Sequence, residues 1–210
     1  MPRKKQVRSE DTKRDILAAA GKLFAVRGYD AVSMREIAKE AGCSHTTIYI
    51  YFEDKEALLN ELSMPSLLKL KENFGEVFQH ERENPQNALK QISQLFIRFC
   101  LLNRNMYRIF FEVKAERVDE DSPEMEINQI RNQLFGLLMQ VVRDCTGLME
   151  GSERLLAYTR IYFYMLHGMV GTYQYSEETA EELMQRLADT FDEGFEVLLL
   201  GFREKTKSDH

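Results

Sequence analysis

The sequence predicts an all-α protein: an amino-terminal three-helix head with a helix-turn-helix, followed by a larger helical body. Three observations predict it. Apolar residues recur at helical spacing along nearly the whole chain, and no alternating run bounded by turn residues suggests a strand. Residues 33–59, SMREIAKEAGCSHTTIYIYFEDKEALL, read as two short helices joined by a tight glycine turn. At 210 residues the chain can bury one large core and a small satellite domain.

The elements follow in order. Ile16, Ala20, Leu23, Phe24 and Arg27 share one helical stripe, which Gly28 ends. Ser33 with Glu36 forms a capping box, so a helix starts at Met34 with Ile37, Ala38 and Ala41 on its apolar side. Gly42 permits the positive φ that stops it, Cys43 plugs the turn, and Ser44 caps a second, very short helix. Asp54 caps a helix beginning at Lys55 that carries Leu58, Leu59 and Leu62, is interrupted at Pro65, and resumes through Leu70 and Phe74. Asn84 and Pro85 start the next, with Leu89, Ile92, Phe96 and Phe99 on one face; residues 106–113 are a short, nearly all-apolar helix. Ser122 and Pro123 start another, through Ile127, Ile130, Leu134, Val141 and Cys145, with Gly147 and Gly151 at its end. Two final helices span residues 152–175 and 177–202, hinged at Ser176, with Glu177 and Glu178 where a helix favours negative charge.

The short helix after Ser44 opens with His45, Thr46 and Thr47, polar and small enough to approach base edges, while Ile48 and Phe52 face back into the protein. Tyr49, Tyr51 and Lys55 flank it with hydroxyls and a positive charge, the groups that hold phosphates. AKEAGCSHTTIYIYFEDKEALL, extended by TKRDILAAAGKLFAVRGYDAVSMREIA before it, resembles the DNA-binding segment of the TetR family of bacterial transcriptional regulators over residues 12–59. That resemblance implies a transcriptional repressor that binds palindromic operator DNA as a homodimer and answers to a small-molecule effector. It places Arg35, His45 and Thr46 at base edges, and Ser33, Thr47, Tyr49, Tyr51 and Lys55 on phosphates. His45 departs from the family, which often has a longer basic or a small residue there, so no base preference is carried over. The domain division is a flexible basic arm over 1–11, the helix-turn-helix over 12–53, a ligand-binding and dimerisation domain over 54–204, and a flexible tail over 205–210.

Charge is distributed to match. The net charge is −6, yet residues 1–55 hold 11 Lys and Arg against 8 Asp and Glu, and the remainder holds 17 against 26. An acidic body repels a duplex everywhere except at the basic end, which favours one binding orientation. Arg3, Lys4, Lys5 and Arg8 in the arm suit either a disordered solubilising tail or a segment that tracks the minor groove.

The last two helices are apolar on more than one face. Leu155, Tyr158, Tyr162, Met165, Met169 and Tyr173 form one stripe and Leu156, Phe163, Leu166 and Val170 another; Leu183, Leu187, Phe191, Phe195, Leu198 and Phe202 exceed the needs of one neighbour. Such helices are buried on both sides, within a deep monomer core or as a four-helix bundle with a second copy. The resemblance implies the bundle. Phe96, Phe99, Cys100, Met106, Tyr107, Phe110, Phe111, Met139, Tyr158 and Tyr162 are more aromatic and Met-rich than a helical core requires. They fit either a pocket for a small hydrophobic effector or ordinary core filling. His167, among apolar neighbours, reads as a hydrogen-bonded interface histidine, and His80 as part of a solvated face.

Other classes have less behind them. No apolar run approaches the length needed to span a membrane, and the basic amino terminus is followed by no apolar segment of a signal peptide. Cys43, Cys100 and Cys145 form no CxxC pair and suggest neither disulfide nor metal, so a reducing cytoplasm and no cofactor are expected. A redox-responsive regulator acting through Cys100 or Cys145 is the alternative; only Arg104, four residues after Cys100, is placed to lower a thiol pKa. A helical enzyme is the weaker alternative, since no nucleophile, metal or phosphate-loop motif is present.

Overall fold

The computed structural model describes the backbone of residues 2–120 and 122–207, with side chains from residue 9 onward, and among these residues holds nine helices and no strand. The first, α1, runs Pro2–Arg27. The expectation of a separate arm over 1–11 is thereby corrected for the backbone: residues 2–11 continue α1, as their good helix formers and a proline at the first helical position allow. The side chains of Arg3, Lys4, Lys5 and Arg8 lie outside the described residues. Gly28, at φ 81°, ends the helix by donating its N–H to Phe24 at 2.9 Å.

Helix α2, Met34–Glu40, has its capping box intact. The Ser33 N–H and hydroxyl donate to Glu36 Oε2 at 2.9 and 2.7 Å, and the Glu36 N–H returns to Ser33 Oγ at 3.3 Å. The same carboxylate takes Arg27 at 2.9 Å, which joins the end of α1 to the start of α2. After α2 the Cys43 N–H reaches the Ala38 carbonyl at 2.9 Å and the Gly42 N–H that of Lys39 at 3.2 Å, with Gly42 at φ 69°. This is the double bond of a Schellman stop, and it turns the chain sharply into α3, His45–Tyr51. Ser44 Oγ caps α3 by accepting from the Thr47 N–H at 3.0 Å. Ile16, Ala20, Phe24, Ile37, Ala38, Ile48 and Phe52 fill the core of this head.

Helix α4 runs without a break over Lys55–His80, and Asp54 caps it by accepting the Ala57 N–H at 2.8 Å. The interruption expected at Pro65 is absent. Pro65 is exposed, while Leu58, Leu59, Leu67 and Leu70 on either side of it are buried, and that burial outweighs one lost backbone hydrogen bond. The helix is about 39 Å long and connects head to body as one rod. Lys55, expected on a DNA phosphate, is turned inward: its ammonium donates to the carbonyls of Tyr29 and Val32 at 2.8 and 2.9 Å and lies 4.2 Å from the Tyr29 ring centroid. An ammonium seeks oxygen, and two carbonyls of the corner between α1 and α2 supply it.

The body comprises α5 (Pro85–Leu102), α6 (Arg104–Phe111), α7 (Glu126–Thr146), α8 (Glu153–Thr172) and α9 (Ala180–Lys207). Helix α7 lies at the centre, packed on α4, α5, α8 and α9. It begins three residues after the buried Pro123 and ends at Gly147, φ 71°. Helix α9 starts at a reciprocal Thr179–Glu182 cap rather than at Glu177, and continues through Lys207, so residues 205–207 are helical rather than tail. Residues 208–210 lie outside the described residues.

Short helix α6 is held at both ends by arginines. Arg104 donates to the carbonyls of Ser176 and Glu178 at 2.7 Å each. Arg131, 6% exposed, donates to the carbonyls of Ile109, Phe110 and Val113 and to Asn128 Oδ1, so all five of its N–H groups are satisfied. Burial lowers its pKa to about 10. Helix α6 also touches α1, and so lies against the head.

Two stability measurements follow. Lys55→Met removes two charge-assisted hydrogen bonds, so we expect a loss of about 1.5–3 kcal/mol in denaturant unfolding, with amide exchange accelerated in residues 28–34 first. Unchanged exchange there would show that Lys55 does not hold the corner. The bonds from Ser33, followed by the Arg27 bond, lower the Glu36 pKa from 4.5 to about 2. Its carboxylate is favoured in the fold, so its contribution is complete above pH 4.5 and is lost as pH falls toward 2. In Glu36→Gln that part of the acid destabilisation disappears, read as a flatter melting temperature against pH over this window.

Candidate functional site

The outer face of the helix-turn-helix carries the expected polar residues. Arg35, His45 and Thr46 are all exposed, and Arg35, Lys39, Cys43 and His45 border one shallow depression between α2 and α3. His45 packs edge-on against Tyr49, with ring centroids 5.1 Å apart, so its rotation is restricted. Tyr49 is itself 47% exposed. Thr47 Oγ1 lies 2.7 Å from Ser44 Oγ, and the Tyr51 hydroxyl 3.1 Å from Ser9 Oγ on α1. Ser33 is exposed at the start of α2 although its hydroxyl is engaged in the cap. Of the phosphate-binding set, Lys55 alone points into the protein. Lys39 was missed by sequence reasoning; its position one turn after Arg35 was the available signal.

Two cavities lie deeper. An apolar chamber of about 200 Å³ is lined by Phe74, Ile92, Phe96, Phe111, Leu134, Phe135, Leu138, Phe163 and Leu166, with Arg131 and Glu116 at its edge. Only Phe96 and Phe111 of the ten expected pocket residues line it. Tyr107 faces the second cavity, and the other seven line neither. Tyr162 is fully buried with its hydroxyl 2.8 Å from Ser93 Oγ, and Tyr158 stacks on Phe202 at 4.2 Å. Phe99 stacks on buried Phe110 at 5.5 Å, Cys100 is fully buried, and Met106 and Met139 pack against the core. Of the α7 residues that line the chamber, Leu134 reads in sequence as part of an apolar core stripe, and Phe135 and Leu138 were not singled out.

The second cavity, of about 920 Å³, is a cleft between head and body. The end of α1 and the following corner form one wall, and α6 with α8 the other. His167 stands between the two cavities. Its ring centroid is 4.0 Å from that of Phe163, 5.0 Å from Phe96 and 5.5 Å from Phe111, all chamber residues, while the residue itself lines the cleft. Burial lowers its pKa to about 4, so the ring is neutral at pH 7. The sequence reading of a hydrogen-bonded histidine is half fulfilled: Nδ1 is 2.7 Å from the Tyr107 hydroxyl, and Nε2 has no partner.

The cysteines are poor redox centres. Burial pushes the Cys100 thiol well above its ordinary pKa, and Cys145, whose thiol donates to the Pro85 carbonyl at 3.1 Å, is raised to about 12. Arg104 is committed to the carbonyls of Ser176 and Glu178 and does not activate Cys100. Among the described residues no helix is long and apolar enough to cross a membrane.

Comparisons with known proteins agree with this geometry. Residues 16–62 match the family of bacterial regulatory proteins of the tetR type, and residues 89–198 match the Tetracyclin repressor-like C-terminal domain. The chain is 31% identical over 87 residues to the HTH-type transcriptional regulator EthR of Mycolicibacterium smegmatis, covering 41% of this chain and 40% of EthR. It thus spans about two fifths of that relative's length. Two solved structures share the fold: the ketosteroid transcriptional regulator KstR2 of Mycobacterium tuberculosis, at TM-score 0.66 and 19% identity over 87% of this chain and 93% of that one, and the transcriptional regulator FadR of Bacillus subtilis in complex with stearoyl-CoA, at TM-score 0.60 and 19% identity over 89% and 97%. With a matching helix-turn-helix at one end and a matching regulatory domain over half its length, the chain belongs to the TetR family of bacterial regulatory proteins.

Proposed function

We propose that this protein is a transcriptional repressor that binds a palindromic operator as a homodimer and is released by a small hydrophobic effector. The observation that carries the DNA reading is the exposed face of the helix-turn-helix: Arg35 on α2 and His45 and Thr46 at the start of α3 are exposed on a rigid, doubly capped unit, with Tyr49 against His45. Arg35, His45 and Thr46 read base edges, while Ser33, Thr47, Tyr49 and Tyr51 hold phosphates. Lys39 adds charge on the same face.

A second copy fits on α8 and α9. Ile161, Tyr164, Val197 and Leu200 are exposed at 45%, 63%, 58% and 58%, and Gly168 and Gly201 continue the same two helix faces. A glycine inside a helix costs about 1 kcal/mol against alanine, and a side chain at either position would meet nothing within this subunit. Close approach of a partner's helices is what uses that space. The apolar chamber is the effector site, supported by the ketosteroid and stearoyl-CoA named for two proteins of this fold. Its 200 Å³ is small for a lipid-sized molecule, so binding opens it and displaces α6, which lies against α1.

Selection of bound duplexes from a random pool is expected to give an inverted repeat whose affinity falls steeply with salt, with a log–log slope of about −0.9 per phosphate contacted. His45→Ala should relax preference at one or two positions per half-site, at about 1–3 kcal/mol per lost contact. Failure to enrich any sequence would remove the regulator reading.

Tyr164→Glu combined with Leu200→Glu should give a monomer by analytical ultracentrifugation and abolish operator binding while the helical circular dichroism is retained. A double variant that remains dimeric would place the interface elsewhere. An effector acting through the chamber must weaken operator binding by the same factor by which operator weakens the effector, about 3 kcal/mol of coupling for a hundredfold effect.

A further inference from the structure

Five side-chain nitrogen and oxygen atoms are buried without a hydrogen-bond partner among the described residues, and three of them belong to residues lining the head–body cleft. They are Arg104 Nε, His167 Nε2 and Gln174 Nε2. Contacts place them along one seam: Arg104 bonds the carbonyls of Ser176 and Glu178, just beyond Gln174 in the turn that follows α8, and Tyr107, one turn on from Arg104 in α6, bonds His167.

All three are donors. This holds for arginine and the glutamine amide by constitution, and for His167 by its partner. The contact with Nδ1 is the only hydrogen bond of the Tyr107 hydroxyl among the described residues, so placing the phenol proton there satisfies it and leaves the ring's own proton on Nε2. The opposite tautomer would leave both the phenol proton and Nε2 unused. A wall whose three unpaired groups are all N–H lacks an acceptor.

The missing acceptor carries charge. Arg104 has no ion pair within 4 Å among the described residues; its two terminal nitrogens end on neutral carbonyls, and the nearby Glu178 is held bidentately by Arg186 at 2.8 and 2.7 Å. Elsewhere along the cleft Arg27 pairs with Glu36 and Arg108 with Glu112, while Asp30 lies on the head wall. A single negative group at the wall of α6 and α8, away from Asp30, completes this arrangement.

We propose that the head–body cleft is a second effector site, distinct from the apolar chamber, which binds a small organic monocarboxylate through Arg104, His167 and Gln174 on its body wall. The three nitrogens are sealed from solvent. A carboxylate that reaches them parts the seam between α6 and α8, so occupancy and movement of α6 are one event. The effect on operator binding rests on the proposed DNA reading; occupancy of the cleft does not.

The test uses the full-length protein labelled with ¹⁵N-histidine. It is titrated with acetate, benzoate and octanoate, and with benzamide as the neutral counterpart of benzoate. At least one carboxylate is expected to saturate the shift of the His167 Nε2 resonance and to change operator affinity, with benzamide weaker by about tenfold or more. His167→Phe and Gln174→Leu, read through the carboxylate's effect on operator affinity, should each weaken that carboxylate by a similar factor while leaving operator affinity without ligand within about threefold, since neither residue lies on the DNA face. If one of the two fails to fold, the other still decides.

The proposal is overturned if no carboxylate perturbs His167 at tens of millimolar. It is also overturned if benzoate and benzamide bind alike, if both variants bind as the parent does, or if saturation leaves operator affinity unchanged. A protein that binds no operator at all would refute the DNA reading, and the His167 resonance would still report on the cleft.

Discussion

The ammonium of Lys55 is the point on which the geometry of the head depends. It sits at the first residue of α4, where the helix dipole disfavours a cation, and it is stable there because the carbonyls of Tyr29 and Val32 and the Tyr29 ring receive it. Local preference is broken to satisfy a tertiary demand. The corner between α1 and α2 has few backbone partners of its own, and without this clamp nothing polar would tie it to the rod that leads into the body. Because α4 passes through Pro65 unbroken, head and body are joined by one continuous helix.

A second pair of arginines does for α6 what Lys55 does for the corner. Arg104, the first residue of this eight-residue helix, ties its start to the carbonyls of Ser176 and Glu178, and Arg131 of α7 holds its end. Neither hydrogen-bonds a carboxylate; apart from the Arg131 bond to Asn128, the bonds they make are to backbone carbonyls. Such contacts fix position without the strict geometry of a bidentate ion pair, so the helix can shift by small amounts and keep part of its bonding. Phe111 of α6 lines the apolar chamber, Tyr107, Arg108 and Ile109 line the cleft, and the helix touches α1. An occupant of either cavity therefore acts on the same element, which makes α6 the junction where two chemically different ligands would be summed.

The head was legible in the sequence because its instructions are local. Ser33 with Glu36, Gly42 with Cys43, and Ser44 each act within four residues, and each forms the bond that its spacing suggests. Lys55 was misread because an ammonium binds a phosphate and a carbonyl by the same chemistry, and only tertiary structure decides between them. Pro65 was misread because the burial that carries a helix through a proline is not local. In the body, aromatic content marked helices that border the chamber but mostly not the residues that line it: Tyr158 and Tyr162 turn toward Phe202 and Ser93, while the chamber is completed by Leu134, Leu138 and Phe163. Unpaired donors leave no trace in a sequence, because they are defined by what fails to lie nearby.

The charge pattern and the packing bear on one another. An acidic body attached to a basic head would, in a dimer, repel DNA from every side but the one that presents both copies of α3. The same repulsion acts between the two bodies, so the α8 and α9 faces must hold against it by apolar contact rather than by charge. Their exposed residues fit that demand: Ile161, Tyr164, Val197 and Leu200 are uncharged and large, and Gly168 and Gly201 permit close approach. Screening by salt then acts in opposite directions on the two interfaces. In the proposed dimer it would weaken the contact between head and phosphates and relieve the repulsion between bodies, so raising ionic strength should release the protein from DNA with its two copies still paired.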